Sequence, residues 1–101
     1  MNELELKIEA SNNILFEYEK ELKHLENINS NLNYEYNISF KVFNYSKELL
    51  NYRQNILDNI GQNNYRINIL NKSIKKQNLI HVLLTNCYYK IDNLVNELIN
   101  K

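Results

Sequence analysis

Few side chains in this 101-residue sequence could do chemistry: two histidines, one cysteine, a cluster of glutamates and a cluster of cations. His24 follows Lys23 on the polar side of the first amphipathic stretch and reads as a solvated surface histidine. His81 falls within an apolar seam. There it would titrate near neutral pH and weaken packing when charged, or sit as a satisfied core histidine bonded to a neighbour such as Thr85, one turn on. Glu17, Glu19, Glu21 and Glu26 have the composition of a metal or acid–base cluster, but successive odd positions on a helix point in different directions and Lys20 and Lys23 interleave them. A solvated, salt-bridged face is the expected outcome. Cys87 is the sole cysteine. A disulfide framework within the chain is therefore excluded, and the thiol reads as a small buried apolar group in a reducing compartment.

The cations Arg53, Arg66, Lys72, Lys75 and Lys76 form the only basic concentration, and with Tyr52 and Tyr65 nearby they could hold a nucleic-acid backbone weakly. The competing reading places them against the acidic first helix. Twelve bases balance twelve acids, so the counterion release that drives most nucleic-acid binding has little global support. One glycine cannot build a phosphate-cradling loop, and there is no HExxH, no paired Cys or His spacing and no nucleophile elbow. The sequence therefore leads one to expect a protein that is not an enzyme, with no cofactor and no metal.

The elements that would carry these residues are helices. There is no proline, and Gly61 is the single glycine, so the usual punctuation of sheets and loops is missing. The 21 Asn, 12 Ile and 10 Lys have the look of codon bias in an AT-rich genome, and the asparagines need no chemistry. Leu4, Ile8, Leu15, Tyr18, Leu22 and Leu25 recur at three- and four-residue steps with Ser11 filling the gap, while Glu5, Glu9, Glu19 and Lys23 take the other side. Asn27, Asn29, Ser30 and Asn31 then cluster, and such side chains compete for backbone hydrogen bonds, which predicts a helix break near 28–31. Residues 33–42 alternate strictly, with Tyr34, Tyr36, Ile38, Phe40 and Val42 on one side, as a half-buried strand would. The same stretch also carries a polar stripe at helical spacing through Asn33, Asn37, Lys41, Asn44, Glu48, Asn51 and Asn55, and with no partner strand nearby helix is preferred.

Gly61, followed by Asn63 and Asn64, predicts the end of one helix and the cap of the next. Against that, Leu49, Ile56, Ile60, Ile67, Leu70 and Ile74 keep heptad register across the glycine, with Arg53 and Asn63 as polar interruptions. The seam continues through Gln77, His81, Leu84, Tyr88, Ile91, Val95 and Leu98, with Leu79, Ile80, Val82, Leu83, Cys87 and Leu94 on adjoining faces. Wide stripes of this kind pack against two neighbours. The expected fold is all-α: a single domain over 1–101, an antiparallel three-helix bundle with helices near 3–28, 32–60 and 63–100, or else a long helical hairpin with coiled-coil-like seams.

The third of these helices would be about 55 Å long against about 40 Å for the others, leaving an overhang. Leu83, Tyr88, Tyr89 and Leu94 lie near it and are the expected partner-binding residues. Residues 1–48 hold nine acids and five bases, and residues 49–101 three acids and seven bases. Such halves favour antiparallel pairing, within the chain or with a second copy. The sequence opens without a signal peptide and holds no run apolar enough to span a bilayer. The functional expectation is a cytoplasmic protein–protein interaction module: a helical subunit or adaptor docking through apolar helix faces to a protein partner or to itself as a homo-oligomer. The alternative expectation is a small inhibitor, encoded by a mobile element, that occludes a nucleic-acid-processing enzyme through its acidic N-terminal face.

Overall fold

The computed structural model describes residues 2–41 and 46–100. It contains two long α-helices, α1 (Glu3–Ser39, 37 residues) and α2 (Lys47–Ile99, 53 residues). At 1.5 Å per residue these measure about 55 Å and about 80 Å. Among the described residues there is no strand. The three-helix bundle is thus wrong and the helical hairpin fits, because neither expected break exists. Helix α1 runs through the Asn27–Asn31 cluster and α2 runs through Gly61. Gly61 has no positive φ, so it sits in ordinary helical backbone, where an interior glycine costs about 1 kcal/mol and is tolerated.

Both helices begin on side-chain caps. The Asn2 Oδ1 accepts from the Glu5 amide at 2.8 Å and the Ser46 Oγ from the Leu49 amide at 3.2 Å, each satisfying one of the donors a helix start leaves open. Glu3 and Glu5 in the first turn of α1 and Glu48 in that of α2 complement the positive end of the helix dipole. The end of α1 falls just past the alternating stretch. Phe40 and Lys41 donate to Asn37 and Ile38 at 3.3 and 2.9 Å, a tightened last turn. The alternating residues 33–39 are helical, Phe40 and Lys41 form the turn, and Val42 and Asn44 lie outside the described residues.

The paired helices divide into two compact units, residues 20–71 and residues 1–19 with 72–101. In the first, Ile56 is 4% exposed and Leu70 fully enclosed. Polar ties join the antiparallel stretches, among them a 3.5 Å contact from the Tyr52 hydroxyl to the Glu35 carboxylate. Arg53, 8% exposed, donates from Nε to the Ser39 Oγ at 3.0 Å and from Nη2 to the Ser39 carbonyl at 2.8 Å, while its guanidinium lies 4.1 Å from the centre of the Phe40 ring. The last turn of α1 has no basic residue of its own, so Arg53 satisfies a carbonyl and supplies the cation at that helix end. Asn29 is buried between Asn63 and Asn64: its Nδ2 donates to Asn64 at 3.0 Å and its Oδ1 accepts from Asn63 at 2.9 Å. This explains why the asparagine cluster does not break α1, since the side chain expected to compete for local backbone is engaged by the other helix. Arg66 grips Glu21 through two bonds, 2.7 and 2.9 Å.

In the second unit the one buried residue among those described is Ser11, whose Oγ accepts from Gln77 Nε2 at 3.0 Å. Leu4, Ile8, Leu15 and Tyr18 on α1 and Ile74, His81, Leu84 and Tyr88 on α2 are half-buried. No described helix is long and apolar enough to cross a membrane.

Candidate docking surface

From Tyr89 to Ile99 every residue of α2 is exposed, although five of them are aliphatic: Ile91, Leu94, Val95, Leu98 and Ile99. Nothing in the helix itself requires this, since residues at this spacing would ordinarily find a facing helix. Helix α1 starts at Glu3, and its first residues reach Tyr88, Ile91, Asp92 and Val95, with which Asn2, Glu3, Leu4 and Glu5 enclose a hollow of about 350 Å³. A second hollow, about 310 Å³, is bounded by Glu3, Leu4, Lys7, Cys87 and Ile91. Only the last turn of α2, past Val95, extends beyond the start of α1, so Leu83, Tyr88, Tyr89 and Leu94, expected near a long overhang, lie alongside the first turns of α1.

The four expected contact residues do not share one face. Leu83 (65% exposed) and Leu94 (59%) do, because eleven residues are almost three helical turns. Tyr88 is half-buried in the seam with α1. Its phenol is held above its ordinary pKa, first by the charge of the Glu5 carboxylate, then by partial burial and by Asp92. Tyr89 is exposed and meets Tyr88 edge-on, ring centres 5.8 Å apart, but it projects about 100° further round the helix, away from the leucines. Sequence reasoning missed Ile80, Cys87, Ile91 and Leu98 as members of the Leu83–Leu94 stripe, although the 3.6-residue period that marks them was available. Cys87 is exposed, not the buried thiol expected. It lies off the seam, in a stretch where α1 covers one side of the helix only.

The basic residues fare differently again. Arg53 is withdrawn into its contact with Ser39 and Phe40, and Arg66 faces the acidic helix through Glu21. Lys72, Lys75 and Lys76 are exposed. His24 is exposed. His81 is half-buried with its Nδ1 enclosed and unpartnered, since the Thr85 hydroxyl donates to the main-chain carbonyls of His81 and Val82 and not to the ring. Among the described residues no three His, Cys, Asp or Glu side chains gather as a metal site. The surface offers aliphatic side chains, shallow hollows and a few flanking charges. Such an arrangement can bind apolar side chains.

Comparison with protein families, curated proteins and solved structures returns no match. The reading of function rests on the molecule's own geometry.

Proposed function

We propose that the chain is a non-catalytic helical docking module, a small subunit or adaptor that binds protein through the exposed aliphatic stripe on the C-terminal part of α2. The observation that carries this reading is the run of large apolar side chains left in water on residues 79–99, beside a pairing with α1 that buries only Ser11. Contiguous exposed apolar surface on a small protein marks an interaction site more often than not. A helix presenting such a stripe docks by laying it into a groove or against another helix.

Burying one leucine or isoleucine fully contributes about 1.5–3 kcal/mol. Association costs about 4–15 kcal/mol in lost freedom, so several of these residues must act together for stable binding. The double substitution Leu83→Glu with Leu94→Glu places two charges on the stripe at exposed positions. The expected result is unchanged helicity by circular dichroism and loss of the chain's stoichiometric association, with itself or with proteins co-purifying from cells that produce it. Unchanged association in the folded double variant would refute the reading.

A further inference from the structure

The stripe is self-complementary. Ile80, Leu83, Cys87, Ile91 and Leu94 follow one another at intervals of three, four, four and three residues, a spacing that reads the same in both directions about Cys87. At 100° per residue these five positions, together with Leu98, fall within an arc of about 80°. All of them are exposed. The stripe lies about a quarter-turn from the seam that Gln77, His81, Leu84 and Tyr88 form with α1. Two apolar faces a quarter-turn apart are what each helix of a four-helix bundle carries, one toward its hairpin mate and one toward a second hairpin.

The charges along the same stretch have a direction. Lys72, Lys75 and Lys76 precede the stripe, whereas its second half is flanked by Lys90 and Glu97, with Asp92 on the side that faces α1. A parallel companion helix would set lysines over lysines. An antiparallel companion of the same sequence, related by a two-fold axis at Cys87, sets Ile80 over Leu94 of the second copy, Leu83 over Ile91, Cys87 over Cys87, and Lys76 beside Glu97, each contact occurring twice as an isologous interface demands. The hollow bounded by Glu3, Leu4, Lys7, Cys87 and Ile91 borders the centre of this register.

We infer that the occupant of this face is a second copy of the chain, paired antiparallel through α2 about a two-fold axis at Cys87. The inference rests on the docking reading above and adds its partner and register.

The experiment uses the full chain, reduced, at about 50 µM, with sedimentation equilibrium and a short bismaleimide as crosslinker. The expected result is a dimer that crosslinks through native Cys87. In the Cys87→Ser background, Ile80→Cys and Leu94→Cys proteins should each fail to crosslink alone and should crosslink when mixed, since their positions oppose each other only between antiparallel copies. Both substitutions are at exposed sites, and circular dichroism checks that the variants remain helical. A dimer in which Ile80→Cys crosslinks to itself, or in which Cys87 does not react across copies, overturns the register and the inference while leaving the docking reading in place. A monomer at this concentration also overturns the inference, and the docking reading then stands or falls on whether the Leu83→Glu/Leu94→Glu variant loses its co-purifying proteins. A higher oligomer without the Ile80–Leu94 crosslink overturns it likewise.

Discussion

Residues 20–71 and the two stretches 1–19 and 72–101 are built alike, as antiparallel helical stretches from the same two helices, and both leave large apolar side chains such as Tyr65 and Leu98 in water, yet they differ in what they enclose. The first encloses Leu70 and Ile56 and ties its helices with Arg53, Asn29 and Glu21–Arg66. Among its described residues the second buries only Ser11, is tied across the pair by Gln77 to Ser11 and by Tyr88 to Glu5, and leaves Leu79, Leu83, Leu94 and Leu98 in water. Buried polar ties of the first kind fix register even where they add little net stability. One region encloses aliphatic side chains between its helices, and the other leaves its aliphatic run at the end of α2 in water.

That contrast can be broken by removing the same atoms from both sides. Leu70→Ala should cost about 2–5 kcal/mol in urea unfolding at any protein concentration, whereas Leu94→Ala should show its effect only where the chain associates. Equal, concentration-independent losses would erase the distinction. Arg53→Met keeps the bulk but strips the donors from Ser39, and about 1–3 kcal/mol should be lost. Arg53→Lys, lacking the fork that reaches both Ser39 oxygens, should recover part of it. Gly61→Ala should stabilise by about 0.5–1 kcal/mol, because its added Cβ meets nothing within 4 Å; a lower melting temperature would contradict an unstrained helix there.

The smallest effect concerns Glu21. Its hydrogen bonds from Arg66, before any other cause, hold its carboxyl below the ordinary value of 4.5. A depressed carboxylate stabilises the fold at pH above that ordinary value and loses the contribution as pH falls through the lowered one. Melting curves of the parent and Arg66→Gln should therefore differ slightly at pH 6 and converge toward pH 3, the difference being small because both side chains are about half exposed.

The helical class and the seam were legible because apolar period and the missing proline are local properties. The positions of the breaks were not. Asn29 and Gly61 carry ordinary helix-ending chemistry, and what overrides it is an interaction with a residue thirty or more positions away, Asn63 and Asn64 in the first case, or the continuing seam in the second. Arg53 and Asn63, read in sequence as interruptions of a heptad, are the residues that bind the helices together. The start of α2 carried one local sign, Ser46 ahead of Lys47 and Glu48, which is a cap signature too short to outweigh the alternation before it. Leu83, Tyr88, Tyr89 and Leu94 were grouped in sequence by their place near the end of the last helix; helix geometry keeps Leu83 and Leu94 on one exposed face and sends Tyr88 into the seam and Tyr89 to another side.

The contact between Arg53 and Ser39 joins residues only 14 apart in the chain, while Gln77 and Ser11 are separated by 66. Closing the shorter loop loses less chain entropy, and local contacts of this kind speed folding. The Arg53 clasp is then the natural starting point of folding, with pairing spreading outward from it toward the chain ends. The order has a consequence in time. A start at the clasp would leave the aliphatic stripe of α2 among the last parts of the chain to be organised, open to other chains for most of the time that folding takes.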